Sequence, residues 1–219
     1  MFDTVIFDWD GTLADTRRAV VSSFQNALSE TQCRISDEFI ERRIGIGSAE
    51  TFREILRHQK VKIDQALIAR LVGKKIAAEL EMNNEIRLFE GAIELLESLQ
   101  GKVKLGLASM NNREVIKHAL QSRGIRKLFN TVITGEDISR PKPNPEIFLK
   151  CAMRLTSSPG KCVVIEDSIF GVSAAKTAGM SCIAILTGVY SAGELSKAHP
   201  DLILNSLTMR REILDFIFK

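Results

Sequence analysis

Two aspartates one residue apart, Asp8 and Asp10, follow the apolar run Thr4-Val5-Ile6-Phe7 in the segment Asp8-Trp9-Asp10-Gly11-Thr12-Leu13. An ionised carboxylate buried without a partner is costly, and a second one beside it adds repulsion. A divalent cation relieves both problems and also ties down a negatively charged substrate. On extended chain, residues i and i+2 face the same way, so Asp8 and Asp10 address one site while Trp9 packs elsewhere. Gly11 then permits a tight exit that exposes backbone N–H groups. Asp-Gly pairs also mark solvated turns, so this segment alone leaves a metal site and a turn as alternatives.

Three further polar groups follow apolar runs in the same manner. Ser109 ends Val103-Lys104-Leu105-Gly106-Leu107-Ala108 and leads into Met110-Asn111-Asn112 and a helix. A hydroxyl there donates to an anion alongside the following N–H groups, and it serves equally as a helix-entry cap. Lys142 lies in Ser139-Arg140-Pro141-Lys142-Pro143-Asn144-Pro145-Glu146. Its flanking prolines are expected to hold it extended, as a fixed positive charge beside carboxylates and a phosphoryl group; a Pro-rich surface turn is the alternative. Glu166-Asp167-Ser168 closes Cys162-Val163-Val164-Ile165. One or both carboxylates fit Mg²⁺, which takes few carboxylates and otherwise water and substrate oxygens, whereas Asp167 or Ser168 could instead cap the next helix. Four such groups at successive strand ends point to one site, because ligands on open parallel sheets bind outside the strands' carboxyl ends.

The elements that must hold these groups read as α/β. Further strands are expected at 131–134, 181–186 and 202–204, with helices near 113–123, 145–155, 170–178 and 207–217. Gly124 and Gly179 stand where two of those helices should stop. Short continuous apolar strands alternating with helices predict a parallel sheet covered on both faces, a three-layer core. The interval from Thr16 to Arg87 reads as helix throughout, with apolar residues at helical spacing in Val20, Phe24 and Leu28, then Phe52, Ile55 and Leu56, then Ile68, Leu71 and Ile76. Gly45-Ile46-Gly47-Ser48 reads as a loop between helices, because no strand precedes it as a phosphate cradle requires. An all-helical cap over 16–87 is therefore expected, inserted after the first strand of a core formed by 1–15 and 88–219.

Composition narrows the partners. The formal net charge is +3, with 45% hydrophobic and 26% charged residues, and the basic residues are scattered in short pairs without interleaved aromatics, which argues against nucleic acid. No basic segment with a cleavable apolar run opens the chain, and no apolar stretch is long enough to cross a bilayer. The four cysteines, Cys33, Cys151, Cys162 and Cys182, have no C-x-x-C spacing. A zinc site or catalytic thiol is not indicated, and a reduced, cytoplasmic protein is expected.

With these residues assembled, the chain resembles the haloacid dehalogenase superfamily of phosphatases and phosphomutases nearly end to end. Its four motifs correspond to D-W-D-G-T-L at Asp8–Leu13, Ser109 after L-G-L-A, Lys142 in R-P-K-P-N-P-E, and E-D-S at Glu166–Ser168. The helical insert resembles the cap of the branch containing phosphoglycolate phosphatase and β-phosphoglucomutase, and the core a Rossmann-like fold. The resemblance implies Mg²⁺-dependent phosphoryl transfer from a small phosphorylated metabolite. Asp8 would be the nucleophile and form an aspartyl-phosphate, and Asp10 the general acid and base, with its carbonyl on the metal. Asp8 and Asp167 would be carboxylate ligands of Mg²⁺, with Glu166 a ligand or an outer partner. Ser109, Met110, Lys142 and the N–H groups near Gly11 and Thr12 would hold the phosphoryl oxygens.

Departures from neighbouring chemistries favour hydrolysis. Asp10 argues against dehalogenases and phosphonoacetaldehyde hydrolases, which the resemblance describes as lacking that carboxylate. β-Phosphoglucomutases carry a His early in the hinge and an R-E-D-S-type loop; here the hinge reads Thr16-Arg17-Arg18-Ala19-Val20 and the loop Gly47-Ser48-Ala49-Glu50-Thr51. A phosphatase is thus preferred to a sugar phosphomutase. A non-catalytic binding module is disfavoured by the intact Asp8, Asp10, Lys142 and Asp167. Arg43 and Ser48 are candidate specificity residues, Arg43 for a carboxylate such as that of phosphoglycolate, with a solvent-facing arginine as the alternative. A developed cap makes a monomer adequate.

Overall fold

The computed structural model describes residues 1–219. Strand β1 (Thr4–Phe7) is wholly buried and sits at the centre of a six-stranded parallel sheet. It pairs with β4 (Lys104–Ala108) on one side and β6 (Cys162–Glu166) on the other, so that Phe7 lies opposite both Leu107 and Ile165. Beyond β4 lies β5 (Thr131–Ile133), and beyond β6 lie β7 (Ser181–Ile185) and β8 (Leu202–Leu204). The chain builds outward from β1 through β4 to β5, then returns and builds outward from β6. The strand order therefore reverses between β1 and β6, which opens a crevice at their carboxyl ends.

Alternation along β1 divides the core into two layers. Val5 and Phe7 join Leu105, Leu107, Val163 and Ile165 on the face covered by α5 (Ala92–Leu99), α6 (Arg113–Ser122) and α10 (Arg210–Phe218). Ile6 joins Val164 and Ala184 on the opposite face, under α7 (Glu146–Arg154) and α8 (Ile169–Thr177). A sheet covered on both sides needs strands without a polar face, which is why these runs are continuously apolar. All four cysteines are buried and unpaired, behaving as small hydrophobes.

Between the first and fourth strands the chain is helical. The insert comprises α1 (Arg17–Leu28), α2 (Asp37–Glu41), α3 (Ser48–His58) and α4 (Gln65–Glu81). Val20, Phe24, Leu28, Phe52, Ile55, Leu56, Ile68 and Leu71 form a separate apolar cluster there. Its entry and exit are tied by a short antiparallel ribbon, β2 (Ala14–Asp15) against β3 (Arg87–Leu88). That ribbon is absent from the sequence reading because two residues per strand carry no alternation to detect. Helix α5 and the short α9 (Ala192–Ser196) were also not expected. For α5 the signal is present, in Ala92, Leu95, Leu96 and Leu99 at helical spacing.

One periodicity reads differently in space. The sequence places Ile76 with Ile68 and Leu71, yet the fully buried residues on that side of α4 are Leu71, Lys75 and Glu79. Residues four apart stack on one face, and the two charged ones are turned inward because they satisfy each other and the core beneath them.

Candidate active site

Asp8 stands one residue beyond β1, where its amide still donates to the Ile165 carbonyl at 3.0 Å. Its buried carboxylate accepts from Lys142 Nζ at 2.7 Å, and the same ammonium donates to Glu166 Oε1 at 2.7 Å. Lys142 arrives from a turn closed by the Asn144 amide on the Pro141 carbonyl at 2.9 Å, in which the Lys142–Pro143 peptide is cis, so the segment turns where an extended run was expected.

Burial alone would lower the Lys142 pKa, but the Asp8 and Glu166 carboxylates hold it above the ordinary lysine value. Two carboxylates, Asp8 and Glu166, share that ammonium, with Asp167 close by. Burial, followed by the charges of Glu166 and Asp10, pushes Asp8 up to about 8 against the pull of Lys142. Asp167 is raised well above the carboxylate range by burial and then by Glu166 and Asp8. The crevice therefore holds surplus negative charge in a dry setting, the condition a divalent cation relieves.

The acidic pair at the end of β6 divides its labour. Glu166 Oε2 accepts from the amides of Asp167 (2.8 Å) and Ser168 (2.7 Å) and from the Ser168 hydroxyl (2.9 Å), so both Glu166 oxygens are engaged within the protein. Ser168 caps α8 through the Gly171 amide at 3.0 Å. Asp167 does not cap; its Oδ1 accepts from Thr12 Oγ1 at 2.8 Å. Around its other oxygen two glycines leave a cradle. A Cβ on Gly11 would stand 2.3 Å from Asp167 Oδ2, and one on Gly188 would stand 2.0 Å away.

Asp10 has different company. Its carboxylate accepts from Ser109 Oγ and Asn111 Nδ2, both at 3.1 Å, and Ser109 Oγ accepts from the Asn111 amide at 3.0 Å. Burial and then the nearby charge of Glu79 raise its pKa. Within the loop, Gly11 with φ +82° turns the chain so that its amide donates to Ala14 (2.9 Å), while that of Thr12 donates to Trp9 (3.3 Å). The amides of Gly11 and Thr12, expected to face a phosphoryl group, are thus used inside the loop. The amides of Trp9, Asp10 and Met110 have no acceptor within the chain. The Trp9 side chain is buried in the core, as the alternation predicts.

The insert closes over this site. Ser48 Oγ donates to Asn112 Oδ1 at 2.9 Å, the Tyr190 hydroxyl donates to the Arg42 carbonyl at 2.6 Å, and Arg42 pairs with Glu194 at 2.6 Å. From α4, Lys75 forms a buried ion pair with Glu79 and donates to Asn111 Oδ1 at 2.9 Å. Asn111 Nδ2 in turn donates to Glu79 Oε1 at 2.7 Å. Sequence reasoning missed Lys75, Glu79 and Asn111, since opposite charges four apart normally mark a solvated helix face. Arg43 lines the cleft, but its guanidinium is held by Glu54 at 2.5 Å and lies 3.4 Å over the Phe39 ring. The cleft between insert and core has Asp10, Met110 and Asn111 as its floor and Phe24, Ser48, Thr51 and Lys75 in its roof.

No three His, Cys, Asp or Glu side chains converge as a metal cluster. The acidic side chains at the β1–β6 crevice are fewer, Asp8 and Asp167, in an over-negative pocket with the Gly11–Gly188 cradle beside Asp167. That set suits a cation that keeps several waters and substrate oxygens, as Mg²⁺ does.

A parallel α/β enzyme with a buried carboxylate against a lysine at its switch point, and a helical insert folded over it, is the class these features define. The chain belongs to the haloacid dehalogenase-like hydrolase family, whose model matches residues 5–185. It is 32% identical over 217 residues to protein CbbY of Cereibacter sphaeroides, covering 94% of this chain and 93% of that one. It is 27% identical over 206 residues to pyrophosphatase PpaX of Oceanobacillus iheyensis, covering 93% and 92%. A hydrolase from Pseudomonas syringae superposes with a TM-score of 0.90 at 27% identity, over 99% of both chains. No helix is long and apolar enough to cross a membrane.

Proposed function

We propose that this chain is a Mg²⁺-dependent phosphatase that hydrolyses a small phosphorylated metabolite through an aspartyl-phosphate. The observation that carries the reading is the distinct company of the two aspartates: Asp8 against the Lys142 ammonium at 2.7 Å, Asp10 against neutral hydroxyl and amide donors. A carboxylate beside a fixed cation suits in-line attack on an anionic phosphoryl group, because the cation screens the approach. A carboxyl held by neutral hydroxyl and amide donors, with no cation on it, suits delivery of a proton to the leaving oxygen and its recovery from water.

Residues 16–87 act as the cap, pivoting on the β2–β3 ribbon and excluding bulk water when closed. Asp8, Asp167 and the Asp10 carbonyl would hold Mg²⁺, and Glu166 serves as the outer partner that orients Lys142. When bound, Mg²⁺ supplies positive charge that neutralises the carboxylates and the phosphoryl oxygens. Ser109 and the amides of Trp9, Asp10 and Met110 receive the remaining phosphoryl oxygens, and Lys142 balances charge as the P–O bond to the leaving group breaks.

Steady-state release of phosphate from p-nitrophenyl phosphate with Mg²⁺ tests the reaction. Asp8→Asn should lower kcat by about 10⁴ or more and abolish the acid-stable phosphoprotein that the native chain forms from labelled substrate. Turnover in that variant within about tenfold of native would remove the nucleophile assignment. Interconversion of sugar phosphate isomers without phosphate release would instead identify a phosphomutase.

A further inference from the structure

Two cations reach the cleft from the insert, Lys75 and Arg43, and each arrives with an insert carboxylate already on it. The Lys75–Glu79 pair is fully buried. It faces Asp10 only through Asn111, which accepts from Lys75 and donates to both Glu79 and Asp10. Arg43 is committed to Glu54 and to the Phe39 carbonyl at 2.9 Å. The rest of the insert's wall around them includes Val20, Phe24, Ser48 and Thr51, which are apolar or hydroxylic.

The two sides of the cleft thus differ in electrical character. On the phosphoryl side Lys142 stands among surplus carboxylates where a metal would sit. On the leaving-group side every inward cation is cancelled where it stands. An anionic leaving group would have to draw Lys75 or Arg43 out of its pair, leaving a carboxylate stranded, at 0 % exposure in the case of Glu79. Breaking the buried Lys75–Glu79 pair from one side is strongly unfavourable, whereas the Arg43–Glu54 pair is part-exposed and its loss costs less. A neutral polyol makes no such demand, and its hydroxyls can donate to the Ser48 and Thr51 oxygens, whose own protons go to Asn112 and to the Gly47 carbonyl.

We propose that Glu79 and Glu54 set the leaving-group specificity of this site: by neutralising Lys75 and Arg43 in place, they select monoesters of uncharged, hydroxylated carbon skeletons over those carrying a carboxylate or a second phosphate. This rests on the phosphatase reading and narrows its substrate class. It also assigns Arg43 to cap structure, against the expectation that it grips a substrate carboxylate.

Glycerol 3-phosphate and 3-phosphoglycerate test it, since they share a skeleton and differ in one terminal hydroxymethyl or carboxylate. The native enzyme should favour glycerol 3-phosphate by at least about tenfold in kcat/KM. Glu79→Gln and Glu54→Gln free a cation at nearly constant volume. Each should shrink that ratio by about tenfold, through a lower KM for 3-phosphoglycerate. Because the ratio is read within one protein, partial loss of folded material cancels. A native ratio of one or below, in enzyme that turns over p-nitrophenyl phosphate, overturns the proposal while leaving the reaction class standing. An unchanged ratio in both variants also overturns it. Absence of any Mg²⁺-dependent turnover by the native chain removes the phosphatase reading, and this proposal with it.

Discussion

Asp8 and Asp10 are two residues apart on one loop, yet the fold gives them unlike neighbours, and environment is what separates a nucleophile from an acid. Asp8 faces an ammonium; Asp10 faces a hydroxyl, a carboxamide and, one residue further away, the Glu79 carboxylate. Asp10→Asn keeps the shape and the acceptor oxygen but removes the transferable proton. Its kcat should fall by about 10²–10⁴. With p-nitrophenyl phosphate, whose leaving group needs no protonation, the first step should survive and the second should stall. Rapid mixing should therefore register a burst of p-nitrophenolate near one equivalent, followed by slow turnover. Equal slowing of both phases would assign the proton transfers to another group. The residues behind this argument differ in how legible they were. Asp8, Asp10 and Asp167 stood out because a charged residue at the end of an apolar strand has few structural reasons to be there, and Lys142 because prolines flank it. Lys75 and Glu79 did not, because their spacing is that of an ordinary surface pair and only the docking of α4 on the loop after β4 turns them inward.

At the scale of elements, the insert approaches the core through a glycine loop whose geometry no other residue shares. Gly47 leads into α3 with φ +91° and ψ 152°, and a Cβ there would lie 2.9 Å from Met110 Cε. The methionine tip can move aside, so backbone strain is the larger effect, about 1–3 kcal/mol. Gly47→Ala should lower the unfolding free energy by that amount, seen as a lower urea midpoint at an unchanged m-value, and should reduce kcat/KM, since Ser48 and Thr51 follow it into the cleft. Gly73→Ala is the contrasting change: the site is exposed in α4 with open space around it, and the substitution should stabilise by about 0.5–1 kcal/mol without touching kinetics. Equal effects at the two positions would show that the Gly47 conformation matters little. The helical character of this insert and the six sheet strands were readable from periodicity, most strand limits falling within a residue. The β2–β3 ribbon was not, because two residues per strand carry no pattern, and its pairing of Ala14 with Leu88 joins positions far apart in the chain.

At the scale of the whole molecule, the crevice sets native stability against catalytic charge. Asp8, Asp10 and Asp167 all have pKa values raised on folding, by burial first and by one another's or neighbouring charges second. Between the ordinary 3.8 and about 8 for Asp8, the native chain binds more protons than the unfolded one. The stability these groups provide is therefore complete below the lower value and is lost as pH rises through the upper one. A divalent cation should reverse that loss, because it takes the deprotonated carboxylates. At a hundredfold excess over Kd it contributes about 2.7 kcal/mol, or roughly 5–10 °C in Tm for a chain of this size. The rise in Tm caused by Mg²⁺ should accordingly be small near about pH 5 and largest near about pH 8, since protons compete only at the acid end. Asp167→Asn should separate the two effects. With one like charge removed, the metal-free protein should melt higher at about pH 8 than native, while the Mg²⁺ increment should all but disappear. A Tm indifferent to Mg²⁺ across this range would mean that the carboxylates after β1 and β6 share protons instead of a cation, and that the metal assignment fails with the charge balance that motivates it.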